Sequence, residues 1–331
     1  MKGINEIIGQ ESLVQHMEKA IGSGKISHAY LIDGENGAGK KTMTHLFARS
    51  IFCEHKEIRP CDKCPSCLRY IHHNHPDVIE IDKDPDKTMI GIDQIRQGVI
   101  QDMKLKPYEY PYKVYIINQA HLLTEQAQNA ILKTLEEPPE YVVIFLLSEN
   151  MESFLPTIRS RCVTLKMSPV TQDRVEQYLV KYQQVVDYHA RLCARFSRGN
   201  IGKAIRIAQD ERFSELREMA IKSAGLIVEQ KTAGYMKFVE GLKEDKNFKE
   251  DVDDFLDLLL SWFRDMLFVK SCDDKRLLIH EDKYSILKKQ AENTEFQRID
   301  GMINQIEQVK DYLEHNVNFT LAMDTLFFYD K

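Results

Sequence analysis

The stretch Gly34-Glu-Asn-Gly-Ala-Gly39-Lys40-Lys41-Thr42 decides the fold of the N-terminal part of this chain. It follows the apolar run Ala29–Asp33 and precedes a helical pattern that begins near Lys40. A strand, a glycine-rich turn and a helix in this order form a phosphate loop, in which backbone N–H groups surround the phosphates and the lysine reaches the β and γ oxygens. We therefore predict a degenerate nucleotide site at Gly34, Gly39, Lys40, Lys41 and Thr42.

One position of this motif departs from the pattern of ATPases. The residue after Lys40 should be Ser or Thr, whose hydroxyl holds Mg²⁺, and here it is Lys41. Thr42 does not replace that hydroxyl, because one further residue turns the side chain by about 100° around the helix. Binding of ATP or ADP phosphates is compatible with the motif, whereas metal-assisted chemistry is not expected.

A second departure follows the apolar run Lys113–Ile117. P-loop ATPases carry an Asp at the end of a second buried strand, where it holds Mg²⁺. The matching residues here are the amides Asn118 and Gln119. An amide oxygen is a weak, neutral metal ligand, and Gln119 does not accept a proton near neutral pH. His121 lies two residues beyond the expected position and is interpreted as a surface or packing residue. We predict no intrinsic ATP hydrolysis.

The segments around these motifs have the pattern of an α/β domain. Short β-rich runs alternate with helical patterns, at 28–33, 77–81, 113–118 and 141–148. Strands that alternate with helices predict a parallel sheet.

The prolines divide the chain. All ten lie between Pro60 and Pro169. Proline disrupts helix interiors, so its absence after Pro169, together with apolar residues at helical spacing, favours an all-α C-terminal part. We predict an α/β domain at 1–168, a small helical lid domain at 169–208 with a Gly199-Asn-Ile-Gly202 turn, and a helical C-terminal domain at 209–331.

Four cysteines form a separate cluster after the phosphate-loop helix. Cys53, Cys61, Cys64 and Cys67 have the spacing C-x7-C-x2-C-x2-C. Closely spaced thiolates hold one tetrahedral Zn²⁺, and four protein ligands leave no open position for catalysis. We predict a structural zinc in a module at 53–67, with an iron–sulfur cluster as the alternative.

Composition excludes several classes of protein. No apolar run approaches the roughly 20 residues that span a bilayer, and the N-terminus lacks the apolar stretch of a secretory signal. A cytoplasmic protein without membrane partners is expected. The net charge of −6 argues against strong autonomous nucleic-acid binding, which needs clustered Lys and Arg.

Further motifs resemble the clamp-loader subunits of bacterial DNA polymerase III. The resemblance is dense up to residue 168 and thinner beyond, and it rests on the cysteine cluster and on these stretches: Ile7-Ile-Gly-Gln-Glu11, Ser27-His-Ala-Tyr-Leu31, Ala127-Gln-Asn-Ala-Ile-Leu-Lys-Thr-Leu-Glu-Glu-Pro-Pro139, Thr157-Ile-Arg-Ser-Arg-Cys162, Trp262-Phe-Arg-Asp265 and Asn316-Val-Asn-Phe-Thr-Leu321.

The resemblance implies a hetero-oligomeric ring of AAA+ modules. Its ATP-hydrolysing subunits are tau/gamma, another partner is delta, and its cargo is the sliding clamp loaded onto primed DNA. Carried to this sequence, Arg161 is the arginine finger that acts in trans on a neighbour's γ-phosphate, with Arg159 as the rival and a structural salt bridge as the alternative role. Gly202 stands where active members carry a nucleotide-sensing lid arginine, and the C-terminal domain is the oligomerisation collar.

Two other functions stay open at this point. The first is an active AAA+ ATPase of the tau/gamma motor type, which would need acids at 118–119 and a hydroxyl at 41. The second is a zinc-stabilised nucleic-acid-binding module. It would need a basic stripe, but Lys56, Arg59, Lys63 and Arg69 are interleaved with Glu54, Glu57 and Asp62.

Overall fold

A computed structural model describes residues 7–55, 59–245, 248–272, 275, 278–315 and 317–327 of the chain. The chain divides into two compact units. The first comprises Met1–Val175 and Ser197–Ala204, and the second comprises Glu176–Phe196 and Ile205–Lys331. The division into three domains with boundaries at 168 and 208 stays a prediction.

The first unit is built on a five-stranded sheet with the order β2-β3-β4-β1-β5, in which all neighbouring strands are parallel. The strands are β1 (Ala29–Asp33), β2 (Val78–Ile81), β3 (Lys113–Ile117), β4 (Val142–Ser148) and β5 (Val163–Lys166). The four predicted runs are confirmed as β1 to β4. The edge strand β5 was not predicted, because two of its four residues are exposed and it forms no continuous apolar run.

Helices cover both faces of this sheet. They are α1 (Glu11–Ser23), α2 (Lys40–Phe52), α3 (Pro65–Ile71), α4 (Ile92–Ile95), α5 (Glu125–Glu136) and α6 (Pro156–Arg159), and π and 3₁₀ turns continue α4 to Lys104. One apolar core contains Phe47 of α2 and the other contains Ile131 of α5. The central strands β3 and β4 are buried along their whole length, as a sheet covered on both faces requires.

Every described segment of regular structure in the second unit is helical, which confirms the prediction for the C-terminal part. The helices that lie wholly or partly in it are α7 (Gln172–Gln183), α8 (Asp187–Phe196), α9 (Ile201–Gln209), α10 (Glu211–Val228), α11 (Thr232–Glu244), α12 (Phe248–Ser271), α13 (Tyr284–Glu292), α14 (Phe296–Glu314) and α15 (Phe319–Phe327). Apolar residues at helical spacing in α12 and α14 are buried, among them Phe255, Phe263, Ile306 and Val309, whereas Tyr312 of α14 is 38% exposed.

None of the helices formed by the described residues combines the length and apolar character needed to cross a bilayer.

Candidate nucleotide site and metal centre

The predicted nucleotide site lies where parallel strands end at one edge of the sheet. Gly34 follows β1, Asp82 follows β2, Asn118 follows β3 and Glu149 follows β4. In parallel α/β sheets, ligands bind outside these carboxyl ends. A pocket of about 400 Å³ opens there. Its lining consists of Asn36, Gly37, Gly39, Lys40, Lys41, Thr42, Asp82, Asn118, Gln119, Leu147 and Glu149.

Lys40 of the phosphate loop (residues 34–42) is bound to its own loop. Its Nζ donates hydrogen bonds to the carbonyl oxygens of Gly34 at 2.6 Å and Glu35 at 2.8 Å. The same Nζ lies 3.7 Å from Glu149 Oε1. Burial lowers the pKa of Lys40, and the nearby carboxylate of Glu149 opposes that shift. To reach a phosphate, the lysine would have to leave these oxygens.

Lys41 occupies the place of the metal-binding hydroxyl and points to an acid of the sheet. Its Nζ lies 3.2 Å from Glu80 Oε2 on β2. Thr42 is exposed, and although it lines the pocket it lies one helical position beyond the place of the metal-binding hydroxyl. The predicted defect at position 41 therefore has a structural counterpart, because the side chain at this position has no hydroxyl and its ammonium group pairs with Glu80.

The amides after β3 have defined partners. Asn118 is buried, and its Nδ2 donates to Asp82 Oδ1 at 2.8 Å. A carboxylate at 118 would face Asp82 without a proton between them, so the amide matches its neighbour. Gln119 has a φ of 48°, in the left-handed region. His121 Nδ1 accepts a hydrogen bond from the backbone N–H of Glu149 at 3.3 Å, which agrees with its interpretation as a packing residue.

The Gly199–Gly202 turn contacts the phosphate loop directly. The Gly202 N–H donates to the Gly37 carbonyl at 2.9 Å, and Asn200 Nδ2 donates to the Asn36 carbonyl at 2.7 Å. A Cβ at 202 would lie 2.6 Å from the Gly37 oxygen, and one at 37 would lie 2.7 Å from Asn200 Oδ1. Any side chain at 202, a sensing arginine included, would force these two backbones apart.

Two pocket residues, Asp82 and Glu149, were not predicted from the sequence. A signal was present, since each follows directly on a strand whose end was expected at this edge. Both lie outside the motif, in which acids are expected only at 118 and 119. With Lys40 and Lys41, they give the pocket two acidic and two basic side chains.

The two candidate arginine fingers are both partly exposed and both paired within the chain. Arg161 Nη2 lies 2.8 Å from Glu136 Oε1, and its Nη1 donates to the Thr157 carbonyl at 2.9 Å. Arg159 Nη1 lies 3.0 Å from Glu152 Oε1. The choice between them stays a prediction.

The four predicted metal-ligating cysteines come together. The Sγ atoms of Cys53, Cys61, Cys64 and Cys67 all lie within 4.8 Å of one another. Three of the sulfurs also accept hydrogen bonds from backbone N–H groups. Cys53 Sγ accepts from Cys61, Cys61 Sγ accepts from Cys64, and Cys64 Sγ accepts from Cys67. Four sulfurs at this separation fit a tetrahedral ion with Zn–S distances near 2.3 Å.

The cysteine module (residues 53–67) is joined to the phosphate-loop helix. Cys53 directly follows α2, and Arg49, one turn earlier, is almost completely buried with its Nε 3.2 Å from Asp62 Oδ1. His45 Nδ1 lies 2.8 Å from the Tyr70 hydroxyl. Arg49 therefore packs the module against α2. Lys56 and Glu57 of the predicted mixed patch lie outside the described residues, as does Asn316 of the C-terminal motif.

A parallel five-stranded sheet with the order β2-β3-β4-β1-β5 and a phosphate loop after the inner strand β1 defines an AAA+ P-loop module with a degenerate site. Two family profiles then match the sequence, "DNA polymerase III, delta subunit" over residues 9–171 and "DNA polymerase III, delta subunit, C terminal" over residues 215–328. The DNA polymerase III subunit delta′ of Bacillus subtilis is 30% identical over 325 residues, covering 98% of this chain and 96% of that protein. The chain belongs to the family of DNA polymerase III delta′ subunits.

Other relatives are more distant. The DNA polymerase III subunit tau of Bacillus subtilis is 29% identical over 285 residues, which cover 80% of this chain but only 50% of that protein. A solved structure of a DNA polymerase III gamma subunit-related protein from Thermotoga maritima aligns with a TM-score of 0.47 at 19% identity, over 95% of this chain and 96% of that one.

Proposed function

We propose that this chain is a non-hydrolysing subunit of a DNA polymerase III clamp loader that supplies an arginine finger to a neighbouring ATPase. Membership of the delta′ family supports the clamp-loader role. Tau/gamma and delta subunits are the proposed partners, and the sliding clamp and primed DNA are reached through the complex. The relatives are replication proteins, which supports the expectation that the chain acts in the cytoplasm.

The observation that carries the non-hydrolysing role is the pairing of Asn118 with Asp82. In an active site the residue at 118 is a carboxylate that holds Mg²⁺. Here it is an amide whose N–H is already bound to a carboxylate at 2.8 Å. At the sequence position of the other Mg²⁺ ligand stands Lys41, whose positive charge pairs with Glu80. Loss of a catalytic base alone lowers a rate by about 10²–10⁴.

The test of this role is the ATPase rate of the purified chain. We expect turnover at background level, unchanged in Lys40→Ala. Turnover at ordinary ATPase rates that disappears in Lys40→Ala would show an active motor instead.

The position of Arg161 supports action in trans. It lies two residues before β5, and Val163 at the start of β5 pairs with Tyr30. The phosphate loop begins four residues further along β1, at Gly34, a distance of about 13 Å in an extended strand. The backbone of Arg161 therefore lies near the start of β5, whereas the chain's own pocket lies at the carboxyl ends of the strands, and the side chain is 34% exposed and accessible to a neighbour.

Paired variants test this assignment in the reconstituted complex. Arg161→Ala should leave assembly intact and lower DNA-stimulated ATP hydrolysis, because a fixed guanidinium contributes about 10³–10⁵ at a single trans site. Arg159→Ala is the matched control, since Arg159 has similar exposure and a similar ion pair. Glu136→Gln breaks the ion pair of Arg161 but keeps the finger. A loss seen in Arg159→Ala and not in Arg161→Ala would reverse the assignment.

We also propose that Cys53, Cys61, Cys64 and Cys67 hold a structural zinc. Purified protein should contain one zinc per chain, and Cys67→Ser should lose it. Cys272→Ser is the control, because Cys272 is exposed and lies outside the cluster. Iron with visible absorbance in place of zinc would establish an iron–sulfur cluster.

The proposed domain roles follow the family. Residues 1–168 form the AAA+ module, residues 169–208 the lid and residues 209–331 the oligomerisation collar. In this arrangement a neighbouring subunit hydrolyses ATP, and the chain's own pocket does not.

A further inference from the structure

The loop before β3 exposes an unusual set of side chains. We call residues 104–108 the Tyr108 loop. It begins at the last residue of the 3₁₀ turn Asp102–Lys104 and precedes β3. Tyr108 is 84% exposed and Leu105 is 63% exposed. Lys104 and Lys106 are also exposed, and neither forms an ion pair with any described residue.

Buried polar groups fix this loop from both ends. Asp77 is 1% exposed, and its carboxylate accepts the backbone N–H groups of Tyr108 at 2.6 Å, Glu109 at 3.1 Å and Tyr110 at 3.2 Å. A carboxylate bound by three N–H groups is a strong anchor, because its bonds are charge-assisted. The loop is thus held in place although its tip contacts solvent.

The other end is fixed through Asp102 and Met103. Asp102 Oδ2 accepts from the Tyr115 hydroxyl at 2.7 Å and lies 2.8 Å from Lys113 Nζ. The Met103 carbonyl accepts from the Tyr141 hydroxyl at 2.9 Å. A loop ordered before binding loses less conformational entropy when a partner binds.

We infer that the Tyr108 loop is a contact site for single-stranded nucleic acid, with Tyr108 stacking on a base and Lys104 and Lys106 binding phosphates. Stacking on an exposed aromatic ring and cations along the backbone are the two elements of sequence-independent single-strand binding. Lys104 ends the 3₁₀ turn, and Leu105 between the two lysines has an extended backbone, so the Cα atoms of Lys104 and Lys106 lie about 6–7 Å apart.

The charge pattern favours nucleic acid over a protein partner. Leu105 has an unpaired lysine on each side, and the centres of protein interfaces are depleted in lysine. A dry protein contact would bury both ammonium groups, whereas phosphates pair with them. Two lysine–phosphate contacts are also compatible with the net charge of −6, because they form a weak site and not an autonomous nucleic-acid-binding domain.

This site is distinct from the phosphate-loop pocket. The Tyr108 loop precedes β3 at the amino edge of the parallel sheet, and the pocket lies at the carboxyl edge. The inference therefore does not depend on the function proposed above.

Fluorescence anisotropy with the full chain and a labelled oligo-dT of about 20 nucleotides tests the inference, at about 20 mM salt where screening is weak. We expect a Kd near 10⁻⁴ M, about that of non-specific binding. Tyr108→Ala should weaken binding about 5- to 150-fold, whereas Tyr108→Trp should retain it. Lys104→Gln/Lys106→Gln should reduce the slope of log K against log salt by about 1.4, for two phosphates.

Matched controls separate this site from general charge effects. Lys133→Gln/Lys166→Gln removes the same charge from exposed positions elsewhere in the first unit, and Tyr188→Ala removes an exposed ring in the second unit. Both should bind as the unchanged chain does. Three results would each overturn the inference. They are absence of oligo-dT binding, equal losses of binding in the control variants, and duplex binding that is as tight as single-strand binding and independent of Tyr108. The first of these results would leave an acidic protein segment as the partner.

Discussion

Replacing Lys40 with alanine tests whether this lysine stabilises its own loop without any nucleotide. The ammonium group donates to two backbone carbonyls, at 2.6 and 2.8 Å, and its side chain is only 11% exposed. Without it, the carbonyls of Gly34 and Glu35 lose their charged donor. The fold, and not a ligand, would then explain why the lysine is present in a site that lacks its acids.

The expected loss of stability follows from these contacts. A hydrogen bond to a charged group contributes about 1.5–3 kcal/mol. The pair with Glu149, whose side chain is 33% exposed, adds about 0–1 kcal/mol. Burial of the ammonium, which lowers the pKa of Lys40, subtracts from this sum. We expect a net loss of about 1–3 kcal/mol.

Hydrogen exchange of the α2 amides is the suitable assay. Trp262, the chain's single tryptophan, lies in the second unit, so its fluorescence does not report on the phosphate loop. A loss of about 1–3 kcal/mol corresponds to about 5- to 150-fold faster exchange in nucleotide-free protein. The Trp262 signal should show unchanged unfolding of the second unit.

Lys41→Ala is the matched control for this experiment. Lys41 is the next residue of α2 and is 53% exposed, so its pair with Glu80 contributes about 0–1 kcal/mol. Equal exchange rates in the two variants would refute the stabilising role of Lys40. Slower exchange of the unchanged chain on addition of ATP, lost in Lys40→Ala, would show instead that the lysine binds nucleotide.

Three further predictions concern individual contacts. Asn118→Asp should lower stability at pH 7 by about 1–3 kcal/mol, because it places a second carboxylate at the 2.8 Å contact with Asp82. Urea unfolding at pH 5 should show a smaller loss of stability, since the pair of carboxylates then gains a proton. Equal destabilisation at both pH values would contradict the repulsion. Gly202→Ala should lower stability by about 1–3 kcal/mol, since its Cβ would lie 2.6 Å from the Gly37 oxygen. Gly22→Ala in α1, with open space around it, is the control and should not destabilise. Equal effects of the two variants would rule out the close approach. Burial, assisted by Arg217, lowers the pKa of His280 from 6.5 to about 3, so stability present above pH 6.5 is lost as the pH falls. Between pH 7 and 5, unfolding followed by Trp262 fluorescence should show a loss about 2 kcal/mol larger than in His280→Gln, and identical pH profiles would disprove the link.

Local patterns predicted most of the fold. The runs that became β1 to β4 are apolar and bounded by turns, because both faces of a parallel sheet are buried. The absence of proline after Pro169 predicted the helical part, since helix interiors exclude proline. Among the strands of the described residues, only β5 was missed, because two of its four residues are exposed and it has no continuous apolar run.

The site was predicted only where one motif contains all its members. The four cysteines lie within fifteen residues of one another, so their spacing alone indicated a metal. The phosphate loop and the amides at 118 and 119 were likewise visible in the sequence. The prediction that this site does not hydrolyse ATP rests on the chemistry of these side chains.

The tertiary structure alone decided which groups these residues meet. Asp82 and Asn118 are 36 positions apart, and they form a pair only because β2 and β3 end side by side. Gly202 contacts Gly37 across 165 positions, and sequence spacing carries no information about such an approach. The sequence determined by itself that the phosphate loop lacks its acids. Folding determined that Lys40 binds its own loop, because the positions of the Gly34 and Glu35 carbonyls depend on the packed sheet beneath them.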